Sequence, residues 1–183
     1  MQPLIINAAI TGMVPTKKDN PHVPIHPAEI IADVRRCRDA GATIVHLHAR
    51  EEDQTPTYRR EVYGEIFQGV REACPDILIS GSCSGRNHGE FWQRSQVLDL
   101  VPDLASLTLG SLNFPRQASI NDPDMIKRLA LAMKQRGIVP ELEIFDLGMA
   151  EVALHLDNRE QRLATEYAEV LIQRRAFRSG ESE

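Results

Sequence analysis

His46 and His48 stand two apart in TIVHLHAR (43–50), an apolar run that is β-branched at its start and closed by Arg50. On a strand, successive side chains alternate faces, so both imidazoles point the same way. Neutral imidazole is the commonest protein ligand for zinc and its neighbours, and two on one face can share an ion. General acid–base work and a purely structural pairing are the other uses this pattern admits. Catalytic zinc takes three protein ligands and an open position, so the pair alone is an incomplete set.

Other groups able to do chemistry recur at positions that read as strand ends: Asn7 and Thr11, Ser82, Ser106 and Thr108, and Glu143 and Asp146. Each has an ordinary alternative. Ser106 and Thr108 are common strand residues, SCSGR (82–86) could be a plain turn with Arg86 a solvated charge, and Asp146 could simply cap a helix. Glu143 is harder to explain away, because a carboxylate on an inward strand face must be paired or functional. Glu141, two residues earlier, shares that face. Cys83 lies beside these groups, but a cysteine nucleophile needs an adjacent base and the sequence offers none.

The elements that must position these groups alternate. LIINAAI (4–10) predicts a strand, followed by a long proline-rich loop and a helix from Pro27 that ends at Gly41. TIVHLHA predicts the second strand, 59–74 a helix, 76–82 the third strand, 91–100 a helix and 103–111 the fourth strand. Residues 122–137 predict a helix capped by Asn121 or Asp122 and closed by Gly137; 140–146 predicts a fifth strand, and LGMAEVALHL starts a further helix.

Strands alternating with helices predict a parallel sheet in an α/β fold. The first strand–helix loop, NAAITG, is not the glycine pattern of a dinucleotide site. Polar groups at every strand end favour a TIM-type (β/α)8 barrel, whose strand ends converge on one mouth. About five βα units are expected, against the eight of a complete barrel of ~250 residues. The expected organisation is a partial barrel over 1–157 and a charged helical tail over 158–183.

The net charge of −5, from 26 acidic and 21 basic residues, argues against nucleic acid or an anionic membrane as the main partner. An odd count of three cysteines with no C-x-x-C pair fits a reducing cytoplasm better than a disulfide framework. The N-terminus does not read as a signal peptide, and no apolar run approaches the ~18–20 residues of a membrane helix.

NAAITG (7–12), VHLHAR (45–50), the Ser-Gly loop (82–85), SLTLGSLNF (106–114) and PELEIFDLGM (140–149) occur in one order and together resemble the β-keto acid cleavage enzymes. The resemblance runs from about residue 3 to 157 and implies a TIM barrel with a bound divalent metal, usually zinc. It implies an activity that combines a β-keto acid with acetyl-CoA and releases acetoacetate and a new acyl-CoA. It identifies His46 and His48 with the metal-binding histidines, and Ser82 and the backbone of Gly85 with the cradle of the substrate carboxylate. Ser106 or Thr108 would add a hydroxyl there, Glu143 would be the acidic catalytic residue, and Asn7 would lie beside it. The family's selector of substrate side chain would fall near Met13 and Val14, where no acid stands to meet an amino group. Its third metal ligand, a glutamate, with an aspartate and an arginine nearby, belongs to a late barrel strand past the matched stretch. The expectation is therefore a fragment or frameshifted product of such an enzyme, or a naturally short form that completes its barrel by association, homo-oligomeric, with zinc or another divalent metal. A non-catalytic module binding metal or an acyl ligand is the alternative.

Overall fold

In the computed structural model, residues 4–115 and 117–158 are described. Five short runs, rich in β-branched and small residues, form one parallel sheet in sequential order: β1 (Asn7–Ala9), β2 (Ile44–Leu47), β3 (Leu78–Gly81), β4 (Leu104–Thr108) and β7 (Val139–Glu143). Parallel neighbours need a crossover, and three amphipathic helices supply most of it: α1 (Pro27–Asp39), α2 (Arg60–Ala73) and α4 (Pro123–Arg136). Five consecutive βα units curving the same way are part of a (β/α) barrel, as the alternation predicts.

The sheet has one apolar face and one polar face. Val45, Leu47, Ile79, Ala105, Leu107 and Leu142 point outward and are buried in a core shared with Ile30, Val34, Ile66, Val70, Leu129 and Met133 of the helices. Leu47, Ile66 and Leu129 are wholly excluded from solvent. Each such side chain contributes about 1.5–3 kcal/mol by leaving water. The alternate positions point inward, and the register sets His46 opposite Ser80, Ser106 opposite Glu141 and Thr108 opposite Glu143.

The helix ends follow their sequence signals. Asp122 caps α4 by accepting the Met125 amide at 3.0 Å, and Gly137 closes it at φ +70°, a left-handed value that favours glycine. Asp146 accepts the Met149 amide at 2.8 Å and so caps α5 (Leu147–Asn158). That is the capping role the sequence offered as its alternative.

Two local expectations are revised. The helix predicted over 91–100 divides into α3 (Phe91–Arg94) and a 3-10 turn over Gln96–Leu100. The tighter winding accompanies burial of Val97 and Leu98, and Val97 fills the space a side chain at Gly81 would need, 2.7 Å from the site of its missing Cβ. After β4 the chain makes an antiparallel hairpin, β5 (Leu112–Asn113) and β6 (Ala118–Ser119), before α4. Two-residue strands are too short for periodicity to reveal. Most of the proposed tail over 158–183 lies outside the described residues. Among those described, no helix is long and apolar enough to cross a membrane.

Candidate active site

The C-terminal ends of the five strands form the mouth, and the inward positions of the sequence motifs all arrive there. At its centre the His46 Nδ1–H donates to Glu141 Oε2 at 2.9 Å, and His46 Nε2 lies 3.2 Å from His48 Nε2. Both rings are buried. The carboxylate of Glu141 receives two further donors: Ser80 Oγ on the same oxygen, and Asn7 Nδ2 on Oε1 at 3.0 Å. Burial alone would raise its pKa, but His46, Ser80 and Asn7 outweigh that and hold Glu141 below the usual carboxylate range.

An ionised Glu141 fixes the tautomer of His46. With the proton on Nδ1, the lone pair on Nε2 is aimed at the second imidazole. Burial, reinforced by the charges of His46, Arg50 and Arg86, pushes the pKa of His48 well below its ordinary value, so His48 is neutral. Its Nδ1 is buried with no hydrogen-bond partner among the described residues. A proton on that atom leaves the two Nε2 lone pairs facing each other.

Whether these residues suit a metal can be judged from that pair. A separation of 3.2 Å is what two nitrogens span when both lie ~2.0–2.1 Å from one zinc ion near tetrahedral geometry. The Glu141–His46 bond is the outer carboxylate–imidazole contact that orients metal-bound histidines. Among the described residues no group of three His, Cys, Asp or Glu side chains could hold an ion. His46 and His48 therefore fit a metal as two members of a ligand set.

One turn of the pleat further along β7, Glu143 accepts a hydrogen bond from Thr108 Oγ1. Burial raises the pKa of Glu143, with Glu141 adding to the rise while His46, Thr108 and Arg94 oppose it. A carboxyl so placed holds a proton at higher pH than an exposed one, the property of a general acid–base. Ser106 accepts the Cys83 amide at 3.0 Å, and Ser82 the Ser84 amide at 3.3 Å, so both shape the loop after β3. Cys83 is buried, its thiol pushed up to about 12 by that burial, which removes the thiolate a nucleophile requires.

Sequence reasoning missed the group that holds this loop. Arg94 is buried and donates Nε to the Cys83 carbonyl (2.9 Å), Nη1 to the Ile120 carbonyl (3.2 Å) and Nη2 to Asn121 Oδ1 (2.7 Å). Asn121 in turn donates to the Gly110 carbonyl at 3.1 Å, linking the loops after β3 and β4. Gly85 faces this guanidinium, and a Cβ there would lie 2.7 Å from Arg94 Nη1. Gly85 thus has a packing reason to lack a side chain. Arg50 similarly binds the first loop, donating to the carbonyls of Gly12 (2.8 Å), Pro15 (3.1 Å) and Gln54 (2.6 Å). Glu141 was visible in sequence as a second inward carboxylate, but only its contact with His46 gives it a role. His88 donates to the Pro56 carbonyl at 3.3 Å and packs against Tyr58, in a pocket that Ser82 and Ser84 also line.

Comparison with known proteins identifies the family of the chain. The 3-oxoadipate:acetyl-CoA acetyltransferase of Cupriavidus necator is 44% identical over 148 residues, covering 81% of this chain and 52% of that protein. The 3-keto-5-aminohexanoate cleavage enzyme of Fusobacterium nucleatum is 39% identical over 155 residues, covering 84% of this chain and 57% of its own length. The chain thus spans about half the length of the curated relatives it matches. Among solved structures, apo ObcA superposes with a TM-score of 0.69 at 26% identity, covering 78% of this chain and 34% of that one. A binary complex of ObcA with oxaloacetate matches equally well, at 27% identity. The beta-keto acid cleavage enzyme profile matches residues 3–172, past the 157 at which the motif resemblance stops. On that match the chain belongs to the beta-keto acid cleavage enzyme family.

Proposed function

We propose that the chain carries part of the active site of a zinc-dependent β-keto acid cleavage enzyme. Its substrates are a β-keto acid and acetyl-CoA, and its products acetoacetate and a new acyl-CoA. The observation that carries this reading is the pair of imidazole nitrogens 3.2 Å apart, oriented by Glu141 at a mouth that also holds Glu143. The relatives' names, which specify acetyl-CoA and β-keto acids, support it.

His46 and His48 would hold the metal, which supplies Lewis acidity toward the keto acid's oxygens. Neutral imidazoles preserve more of the ion's positive charge than carboxylates would. Glu141 keeps His46 in the ligating tautomer. Glu143 takes and returns a proton at its carboxyl, with Thr108 holding the side chain in place. Ser82, the Gly85 amide and Ser106 would cradle the substrate carboxylate, and Asn7 steadies Glu141 beside it. The polar inner wall and apolar outer wall confine the reaction to the mouth.

The lack of a third ligand among the described residues favours one second reading, a non-catalytic metal or acyl-ligand binding module. Incubation with acetyl-CoA, zinc and a panel of β-keto acids separates the two. Acyl-CoA formation that disappears in His46→Ala supports catalysis. Stoichiometric zinc binding without turnover rejects catalysis and supports the module.

A further inference from the structure

Four cationic side chains stand around the mouth or the loop above it, and three of them are committed. Lys17 pairs with Glu29 at 2.7 Å. Arg50 is spent on the carbonyls of Gly12, Pro15 and Gln54, and Arg94 on Cys83, Ile120 and Asn121. Arg86 differs. Its guanidinium lies over the Phe114 ring, 3.3 Å from the centroid, and its Nε is buried with no hydrogen-bond partner. Among the described residues no carboxylate forms an ion pair with it. The side chain is half-buried rather than solvated.

A half-buried guanidinium without an ion pair is costly, since part of its hydration is lost and only the Phe114 ring and the charge of Glu143 offset it. The stacking on Phe114 covers one face of the group and fixes its plane. What remains for recognition is the edge carrying the outer nitrogens, a planar fork that matches a carboxylate in two parallel hydrogen bonds. Arg86 also stands in the loop after β3, the loop that carries Ser82. Its charge is felt by Glu143 and by His48, and it follows Gly85 in the loop that Arg94 holds still.

We propose that Arg86 is an anion-recognition residue of the mouth, and that its guanidinium fork takes a carboxylate of the substrate. The inference rests on reading the mouth as a keto-acid site and adds the chemical class it selects. The carboxylate has two sources: the one a single methylene from the keto group, or a second one at the far end of a β-keto diacid.

The test is binding to the zinc-loaded full chain and to its Arg86→Gln and Arg86→Lys variants by calorimetry. The ligands are a six-carbon β-keto diacid, a β-keto monoacid of equal length, the methyl ester of that monoacid and acetyl-CoA. A charge-assisted pair predicts a loss of roughly 10-fold or more in Arg86→Gln. Arg86→Lys, which keeps the charge without the fork, falls between. Loss for both acids and not the ester identifies the carboxylate one methylene from the keto group. Loss for the diacid alone identifies the far carboxylate. Equal affinities across the variants overturn the proposal, as does a loss confined to acetyl-CoA, which would assign Arg86 to phosphate. Arg86 is also followed by its side-chain Nε–H resonance, identified by its disappearance in Arg86→Lys, during titration with succinate. If no keto acid binds yet succinate shifts that resonance, the keto-acid reading fails and the anion site stands. If no carboxylate moves it, the anion site is wrong whatever the enzyme does.

Discussion

Replacing Glu141 with glutamine tests how the histidine pair is organised. The carboxylate accepts three donors, His46 Nδ1 and Ser80 Oγ on one oxygen and Asn7 Nδ2 on the other. Glutamine has one acceptor and one donor end. If its carbonyl faces His46 and Ser80, its NH2 meets the Asn7 amide, which can rotate to present its own oxygen. The hydrogen bonds can therefore survive in number, while the charge does not. Bonds to a charged group contribute about 1.5–3 kcal/mol and neutral ones about 0.5–1.5, so losing the charge across three bonds should cost up to about 3–4.5 kcal/mol, less what is regained by no longer burying a charge. Zinc affinity should fall toward the low end of the roughly 10–100-fold seen when such outer partners are lost. Glu141→Ala, which strands three donors, should lie at the upper end. Zinc titration by calorimetry, beside thermal unfolding of the metal-free protein, reads both quantities. Unchanged zinc affinity in Glu141→Ala, with the fold intact, would refute the claim that Glu141 sets the tautomer of His46.

Arg94→Gln leaves the acceptors on Cys83, Ile120 and Asn121 short of donors and should cost at least about 2 kcal/mol. Calorimetry should show this as a fall in Tm of about 4–8 °C, with faster amide exchange at residues 83–85. Gly85→Ala places a Cβ 2.7 Å from Arg94 Nη1 and 3.0 Å from the Ile120 carbonyl. It should destabilise by about 1–3 kcal/mol through overpacking, with keto-acid binding weakened more than zinc binding. Glu29 is held at about 2 against an ordinary 4.5, chiefly by its hydrogen bond from Lys17 and then by the Ile25 amide. A lowered carboxyl pKa stabilises the fold above 4.5, and that contribution is lost as pH falls from 4.5 through 2. Acid unfolding curves of Glu29→Gln should therefore converge with the wild type at the acid end of that window and diverge above it, by an amount screened at this partly exposed site.

The alternating elements were legible because they rest on local patterns: helical spacing from Pro27, Asp122 and Gly137 at the ends of α4, and five apolar runs of strand length. Barrel geometry then brings strand ends together, which is why His46, His48, Ser82, Ser106, Thr108 and Glu143 could be named before their contacts were seen. What stayed hidden depends on distant parts of the chain. Glu141 meets His46 across 95 residues, and Arg94 meets Asn121 across 27, so no spacing rule reports either contact. Arg86 reads as a solvated charge in sequence because Phe114 reaches it only through the β5–β6 hairpin, whose strands carry no periodic signal.

In the proposed site His46 and His48 hold one metal ion between them, in the orientation Glu141 imposes. X-ray absorption at the zinc edge of the loaded protein measures this most directly. Two imidazole nitrogens are expected at ~2.0–2.1 Å, with one lost in His46→Ala and one in His48→Ala. A zinc shell without imidazole, or one that neither substitution alters, would contradict that arrangement.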